Sequence, residues 1–316
     1  SSQRVSSVGK PVSPETRLTK GPAFEKLAQL SAVELGARDW PMYRNDISRS
    51  GATSSKVEVT EKTKWTTSLG GKLTQPVIAH GRVYVAASDR DTVYALDGST
   101  GTVLWNYTAG SAIDSSPTIY KGMLIFGSAD GYVYCLNAAS GALAWTFLAA
   151  PEERVISFHG RLESSWPVHG SVIVKNGEVC FTAGSSSYLG GGIYFYRLDP
   201  VTGEMLASNV ITDIDPVTEK QIDERESSFD SSGVSTDILS SDGRSIFLKH
   251  LQLDDHGNKS EGTTPHLFSP TSLLEEDWYV RSYWTYAPGI RNAKGYAGYN
   301  GWTGTAKENP AGRILS

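Results

Sequence analysis

The stretches ALDGSTGTVLW (residues 95–105) and CLNAASGALAW (135–145) carry one pattern at a spacing of forty residues. In each stretch an apolar segment leads into a turn of small polar residues and glycine, and a second apolar segment ends in tryptophan. Trp65 lies forty residues before Trp105, so the period extends over three tryptophans. Self-similarity at a fixed period of this length indicates a repeat architecture.

Four short apolar segments can be read in each forty-residue unit. The first follows a proline (QPVIA, SPTIY), and the second follows a glycine turn (GRVYVAAS, GMLIFGSA). The third and fourth flank the quoted turn, where Asp97 can bond the backbone that follows it and Gly101 and Gly141 can adopt positive φ. Such runs between turn residues are typical of strands. The pattern therefore predicts an all-β fold, a β-propeller of four-stranded blades.

The repeat becomes irregular after Trp145, although three further copies can be recognised. A third copy is stretched by an insertion at 149–166 and by SSSYLGGG (185–192). A fourth copy begins near Val234, and a fifth, at 278–305, is irregular and rich in aromatic residues. We therefore expect about five blades in this chain.

The copies also predict how the chain is divided. We expect residues 39–316 to form one propeller that is incomplete here and continues beyond residue 316. Residues 1–38 do not repeat, and we expect a linker or a short helix there, the remnant of a preceding region. An incomplete propeller leaves an open sheet edge, which favours aggregation unless it is covered. We therefore expect other protein chains, or the remaining part of the same polypeptide, to close the propeller.

Composition argues against several classes of function. The formal net charge of -5 gives no support for nucleic-acid binding, which needs a basic face. No apolar run approaches the roughly 20 residues of a membrane span. Cys135 and Cys180 form no CxxC motif, so we expect buried thiols and neither ligands nor a disulfide. The six histidines show no HxH or HExxH spacing, and we expect no metal site.

Two motifs resemble a known family. DWPMYRNDISRSG (39–51) resembles the opening motif of quinoprotein-like propellers, and ALDGSTGTVLW resembles their tryptophan-docking motif. The resemblance implies that structural docking residues join neighbouring blades: Trp65, Trp105, Trp145, Asp97, Gly101 and Gly141.

Three longer segments resemble large bacterial proteins with repeats of the pyrroloquinoline-quinone (PQQ) type, which are common in planctomycete-type bacteria. They are SADGYVYCLNAASGALAW, SSWPVHGSVIV and HLFSPTSLLEEDWYVRSYW. This resemblance implies a location outside the cytoplasm, in the periplasm or secreted to the cell surface.

The resemblance leaves two classes of function open, because one fold hosts many functions. The first is a non-catalytic propeller that serves as a protein-interaction scaffold or ligand-binding module, without a cofactor. The alternative is a PQQ-dependent dehydrogenase that uses calcium. The resemblance implies a pair of adjacent cysteines for alcohol dehydrogenases of that type, and this sequence has none. We therefore favour the scaffold.

The insertion marks the first candidate ligand site. Glu163, Trp166 and His169 lie where it enters the innermost strand of a blade, and ligands of propellers bind near the mouth of the central channel. We expect these side chains to form a polar funnel with an aromatic wall. The alternative is structural: Trp166 packs between blades, and Glu163 pairs with a nearby arginine.

A second candidate site lies in the aromatic run near residue 280. Strand alternation places Arg281 and Tyr283 on one face and Trp284 on the other. An arginine among aromatic rings can hold an anion or a sugar through its donors and its stacking face. The alternative is a buried blade strand with a paired arginine.

Overall fold

The computed structural model describes most of the chain up to residue 260 and short segments after it. The described residues are 10–30, 34–56, 62–158, 160–188, 190–215, 217–218, 234–260, 264–269, 273, 284–287 and 311–312. The chain divides into two compact units. Unit 1 comprises 1–43, 53–168 and 200–204, and unit 2 comprises 44–52, 169–199 and 205–316.

Unit 1 consists mainly of short strands. They are β1 (Lys10–Pro11), β2 (Leu18–Lys20), β3 (Val77–Ala79), β4 (Arg82–Ala87), β5 (Thr92–Asp97), β6 (Val103–Thr108), β7 (Thr118–Tyr120), β8 (Met123–Gly127), β9 (Tyr132–Asn137), β10 (Leu143–Leu148), β11 (Glu152–Glu153), β12 (Val155–Phe158) and β13 (Arg161–Ser164). Single helical turns occur at Pro14–Thr16, Phe24–Lys26, Ser88–Arg90 and α1 (Leu27–Leu30).

Two antiparallel sheets of unit 1 repeat one design. The first has the strand order β3-β4-β5-β6, and the second runs β7-β8-β9-β10. The third strands of the two sheets, β5 and β9, begin forty residues apart, as do β6 and β10. Each fourth strand has a register shift immediately before its tryptophan, Trp105 or Trp145. A bulge of this kind bends a strand and increases its twist. The predicted four-stranded blades are confirmed in these two copies.

The second sheet has a fifth strand that the repeat did not predict. In β2, Leu18, Thr19 and Lys20 pair antiparallel with Phe147, Thr146 and Trp145 of β10. The segment 1–38, for which we expected a linker or a short helix, therefore supplies a blade strand as well as the helical turns at 24–30.

The insertion at 149–166 forms two small ribbons in unit 1. Glu152–Glu153 pairs with Lys10–Pro11, and β12 pairs with β13 as an antiparallel hairpin. Within the hairpin, Val155 lies opposite Ser164 and Ile156 lies opposite Glu163. Side chains alternate between the two faces of such a ribbon. Glu163 and Ile156 therefore share one face, and Val155, Ser164 and Leu162 share the other.

The core of unit 1 is formed by the inward positions of both regular sheets. Tyr84, Ile119, Leu124, Phe126 and Leu136 belong to one buried cluster. The Phe126 ring stacks on Tyr134 with the ring centroids 5.2 Å apart. Burial of this apolar surface, about 25 cal/mol per Å², stabilises the sheets against each other.

The strand numbering continues in unit 2. Its strands are β14 (Ile173–Lys175), β15 (Glu178–Ala183), β16 (Ile193–Leu198), β17 (Met205–Ile211), β18 (Ser240–Ser241), β19 (Ile246–Leu248), β20 (Leu251–Leu253), β21 (His266–Phe268), β22 (Trp284–Ala287) and β23 (Ala311–Gly312). They form a four-stranded sheet β14-β15-β16-β17 and two three-stranded sheets, β18-β19-β20 and β21-β22-β23.

These sheets account for the irregular copies. The third copy is a full four-stranded sheet despite its long turn at 184–192. The fourth copy, expected from Val234, forms three strands, and most of the fifth, 278–305, lies outside the described residues. With the two sheets of unit 1, the described part of the chain holds five sheets of three or more strands, in agreement with about five blades.

Residues 39–43 of the opening motif belong to unit 1, and residues 44–51 belong to unit 2, where they lie in the loop 44–52. The buried Arg49 donates from Nε to the Leu239 carbonyl at 2.9 Å, and the Ser241 N–H donates to the Ile47 carbonyl at 2.7 Å. Asp46 accepts a hydrogen bond from the Ser48 hydroxyl at 2.7 Å. The motif therefore anchors this loop to the start of the fourth copy.

Candidate functional site

The three tryptophans of the repeat make the same contact. Each indole Nε1–H donates to a backbone carbonyl: Trp65 to Gly98 at 3.1 Å, Trp105 to Ala138 at 3.1 Å and Trp145 to Pro200 at 3.0 Å. Because an indole has one donor and no acceptor, this bond fixes the direction of each ring. The sequence motif thus corresponds to a repeated contact between side chain and backbone.

A glycine lies against each indole in the turn that follows. Gly101, Gly141 and Gly203 have φ of 73°, 73° and 70°, where glycine is favoured. A Cβ on Gly141 would lie 2.7 Å from two ring carbons of Trp105. Both the backbone conformation and the close ring contact therefore require glycine.

Asp97 organises the first of these turns. Its Oδ1 accepts from the N–H groups of Ser99 and Thr100, both at 2.9 Å. The Ser99 hydroxyl, followed by these backbone donors, lowers the pKa of Asp97 to about 2. The second copy uses Asn137 in the same way, with Oδ1 accepting from Ala139 at 2.9 Å. Both side chains therefore stabilise the conformation of their turn.

The predicted residues Glu163 and Trp166 lie in unit 1 and are both buried. The Arg154 guanidinium lies over the Trp166 ring, 4.7 Å from its centroid, and Arg154 Nε donates to the Ser165 hydroxyl at 3.0 Å. A guanidinium over an indole is a cation–π contact. One face of Trp166 is therefore covered by protein. The ligand-binding role of these residues stays a prediction.

The remaining predicted site residues are His169, Arg281, Tyr283 and Trp284. His169 lies in unit 2 and is 3% exposed. Arg281 and Tyr283 lie outside the described residues, and Trp284 is half-buried in β22. Within the described part of the chain, Trp284 Nε1 has no acceptor.

The β12–β13 hairpin is anchored to unit 1 at several points. Arg161 Nη1 donates to the Ser88 carbonyl at 2.8 Å and lies 3.4 Å from Asp91 Oδ1. The Ser111 hydroxyl donates to the Leu162 carbonyl at 3.1 Å. Burial raises the pKa of Asp91, and the Arg161 charge opposes that rise. These contacts hold the hairpin backbone in place.

The hairpin nevertheless presents apolar side chains to solvent. Leu162 is 72% exposed and Val155 is 63% exposed, and both lie on the face opposite Glu163. Ile156 and Phe158 are exposed to a smaller extent. An exposed apolar face on a ribbon of this kind, fixed to a rigid scaffold, is typical of an interaction surface.

Unit 2 contains three ionisable residues, Asp237, Lys249 and His250, which the repeat pattern gave no reason to select. Lys249 is buried, and its Nζ donates to the Ser235 hydroxyl at 2.7 Å. Burial raises the pKa of Asp237 to about 6, although the Lys249 charge opposes the rise. Burial, followed by the Lys249 charge, lowers the pKa of His250 to about 4. In the sequence these residues fall in the irregular fourth copy, where no spacing rule applies.

The two cysteines are buried thiols, as predicted. Cys135 lies in β9 and Cys180 in β15, and neither forms a disulfide. Burial raises the pKa of both thiols, to about 12 for Cys180. Within the described residues there is no cluster of three or more histidine, cysteine, aspartate or glutamate side chains suited to a metal ion. No described helix is both long enough and apolar enough to cross a membrane.

Curated relatives of this chain fall into two groups. A quinoprotein ethanol dehydrogenase of Pseudomonas aeruginosa is 30% identical over 160 residues, which cover 44% of this chain and 24% of that protein. The outer membrane protein assembly factor BamB of Burkholderia pseudomallei is 27% identical over 158 residues, covering 49% of this chain and 37% of that protein. The chain thus spans between a quarter and two fifths of the length of these relatives.

A solved structure supports the fold. The quinohemoprotein alcohol dehydrogenase from Comamonas testosteroni superposes with a TM-score of 0.53 at 19% identity, over 76% of this chain and 44% of that one. The family model described as outer membrane protein assembly factor BamB matches residues 45–213, just over half of the chain. With the repeated four-stranded sheets, these matches identify a quinoprotein-type β-propeller. The chain therefore belongs to the family of PQQ-like repeat proteins that this model represents.

Proposed function

We propose that this chain is a non-catalytic β-propeller that binds other proteins and acts as an interaction scaffold outside the cytoplasm. The observation that carries the proposal is the β12–β13 hairpin, whose outward Val155 and Leu162 are 63% and 72% exposed. Leaving aliphatic side chains in water forgoes roughly 1.5–3 kcal/mol each relative to burial. A partner that covers the hairpin recovers this free energy.

The hairpin suits a binding role because its backbone is already ordered. Arg161 and the Leu162 carbonyl connect it to the turn at Ser88 and to Ser111. A surface that is fixed before the partner arrives avoids the entropic cost of ordering a loop on association. The apolar side chains can then contribute their burial to affinity.

The family relatives support the same class of function and the location. One group of relatives bears the name outer membrane protein assembly factor, which indicates work with other proteins at a membrane outside the cytoplasm. By analogy we place this chain in the periplasm or at the cell surface, with other protein chains or the rest of its polypeptide as partners.

We further propose that the repeated tryptophans dock successive repeats. Trp65, Trp105 and Trp145 each reach a carbonyl in the turn of the next copy and lie on its glycine. This contact gives the scaffold its rigidity, and the binding surfaces are carried on the loops between.

The second candidate is a PQQ-dependent dehydrogenase that uses calcium, and the 30% identity to a quinoprotein ethanol dehydrogenase favours it. Stacking of a quinone needs an accessible aromatic face, and calcium needs several oxygen ligands. Trp166 has Arg154 over its ring, and the described residues supply no cluster of three acidic or metal-ligating side chains. Trp166 therefore has at most one face left for a quinone.

Native mass spectrometry of the protein purified from its source separates the two candidates. The scaffold predicts the polypeptide mass without a quinone, and no dye reduction with simple alcohols after addition of PQQ and calcium. A quinone retained at one equivalent, or calcium-dependent dye reduction, would contradict the scaffold and favour the dehydrogenase.

A further inference from the structure

The outer edge of β10 is occupied by an extended segment of the same chain. Beyond the paired residues of β2, the Leu148 N–H donates to the Arg17 carbonyl at 2.8 Å and the Gly21 N–H donates to the Ala144 carbonyl at 2.7 Å. Arg17 Nη1 also donates to the carbonyls of Leu148 and Ala150, at 2.7 and 3.0 Å. The segment 17–21 therefore forms hydrogen bonds to the outer edge of β10 with both its backbone and the Arg17 side chain.

The side chains of the segment fit the tryptophan repeat. A Cβ placed on Gly203 would lie 2.6 Å from Leu18 Cδ1 and 3.0 Å from the Trp145 ring, so Leu18 lies beside the contact between glycine and indole. Trp145 is fully buried, whereas Trp105, which has no such cover, is half-buried. At the other end of the segment, a Cβ on Gly21 would clash with the Leu143 carbonyl oxygen. Only glycine fits there.

The same edge exists one repeat earlier, on β6, where no described residue occupies it. β6 pairs with β5 on its inner side, and no described residue pairs with its outer side. Trp105 lies against Gly141 as Trp145 lies against Gly203, and both strands carry a register shift directly before the tryptophan. Leu104 in this strand is 45% exposed, whereas the equivalent Ala144 is buried.

We propose that the outer edge of β6 binds an extended segment of a partner protein, which adds to the sheet as β2 adds to β10. Addition of a strand to a sheet edge is a common mode of peptide recognition, with affinity from the backbone and specificity from alternate side chains. This edge is a different surface from the hairpin of the proposed function.

The register on β10 specifies the chemistry of the partner segment. If a partner segment binds β6 in the register that β2 has on β10, its residue corresponding to Leu18 lies opposite Tyr107 and against Trp105. Its residue corresponding to Thr19 lies opposite Asn106. The partner segment therefore has the pattern arginine, aliphatic residue, threonine, lysine, glycine. Its two positive charges also suit a chain whose formal net charge is -5.

The probe is a fluorescein-labelled peptide with the sequence of residues 15–26 of this chain, ETRLTKGPAFEK. Fluorescence anisotropy measures its binding to the full chain, and a photo-reactive leucine in the place of Leu18 maps the contact by mass spectrometry. We expect saturable binding of one peptide, with cross-links to 103–108 and to the turn at Gly141. Absence of saturable binding, or cross-links confined to β10, would overturn the proposal.

Matched variants test the backbone contact. Bonds alternate along an antiparallel ladder, so the Asn106 N–H points to the outer side as that of Leu148 does in its strand. Asn106→Pro removes this donor, and we expect at least about tenfold weaker binding. Asn106→Thr, which introduces the residue found at position 146, keeps the donor and should bind as the unmodified chain does.

A peptide N-methylated at the threonine that corresponds to Thr19 makes the same test without altering the protein, and it should also bind at least about tenfold more weakly. Equal binding of the methylated and unmethylated peptides contradicts strand addition. Dimerisation of the chain alone that Asn106→Pro abolishes would make a second copy the occupant, and it would overturn the assignment to a partner protein.

Discussion

The indole of Trp105 donates its hydrogen bond to the carbonyl of Ala138, 33 residues later, and Trp65 and Gly98 show the same separation. For Trp145 and Pro200 the separation is 55 residues, because the insertion and the long turn of the third copy lie between them. The contact is therefore kept while the chain between its ends varies. In unit 1 the tryptophan contact is therefore the constant element and the inserted loops are the variable element, whereas β17 has Ala207 at the corresponding position.

The contacts of Trp105 and Trp145 should differ in how much they stabilise the protein. The Ala138 carbonyl also accepts from the Tyr84 hydroxyl at 3.1 Å and from Arg82 at 3.4 Å, so it keeps donors when Trp105 is replaced. Trp145 is fully buried. We expect Trp105→Phe to lower the free energy of unfolding by about 1 kcal/mol and Trp145→Phe by about 2–4 kcal/mol. Urea unfolding followed by circular dichroism measures both values, and the reverse order would contradict this assignment.

Gly141 allows a matched test of the contact between glycine and indole. Gly141 and Gly81 both have φ of 73°, but a Cβ on Gly81 would meet no atom within 4 Å. Gly81→Ala should cost about 1 kcal/mol for the backbone conformation alone. Gly141→Ala should cost about 1–3 kcal/mol more, because the methyl group also displaces the Trp105 ring. Equal losses in urea unfolding would show that the indole contact adds nothing.

Asp237 and His250 should act on stability in opposite directions with pH. The folded-state pKa of Asp237 is raised from 3.8 to about 6, so the folded state keeps a proton that the unfolded state releases, and this group's contribution falls as pH rises through that window. The pKa of His250 is lowered from 6.5 to about 4, so its contribution is lost as pH falls through that window.

Single variants separate these two contributions. Relative to the unmodified chain between pH 4 and 6.5, Asp237→Asn should show stability that rises more steeply with pH, and His250→Gln should show stability that rises less steeply or falls. Thermal unfolding across this pH range measures both slopes. Parallel curves for the three proteins would contradict the burial of these two groups.

Arg161 should hold the hairpin against the rest of unit 1. Arg161→Ala removes the 2.8 Å bond to the Ser88 carbonyl and the pairing with Asp91. A charged hydrogen bond of this kind contributes about 1.5–3 kcal/mol, so opening of the hairpin should become roughly 10- to 150-fold more frequent. Limited proteolysis should then cut within 155–164 sooner than in Arg244→Ala, a control at an exposed arginine. Equal rates of cleavage would mean that Arg161 does not anchor the hairpin.

The sequence predicts the regular blades well because their signals are local. Tryptophans at a spacing of forty residues, glycines in the turns and alternating apolar strands all fall within one repeat, and the sheets β3–β6 and β7–β10 follow from them. The pairing of β2 with β10 could not be predicted from a local signal of this kind. Its partner strand lies more than a hundred residues later, and nothing in LTK (18–20) identifies that partner before folding.

The candidate site was predicted less completely, for a related reason. Glu163 and Trp166 were singled out by their place in the insertion, and both prove to be buried. The exposed residues of the hairpin, Val155 and Leu162, look like ordinary strand residues in the sequence. Their exposure depends on which parts of the two-stranded ribbon the rest of unit 1 covers, and the sequence does not indicate this. Asp237 and Lys249 lie twelve residues apart in an irregular copy, and only the fold brings their charges within reach of each other.

Site-specific cross-linking shows whether the hairpin contacts another protein in the cell. A photo-reactive amino acid takes the place of Leu162 in the full chain expressed in its source organism, and the control carries it in place of Leu206, an exposed residue of β17. Irradiation of the Leu162 position should give one discrete adduct with another protein, which Val155→Asp weakens and which the Leu206 position lacks. No adduct from Leu162, or the same adduct pattern from both positions, would show that the hairpin is not a protein-binding surface.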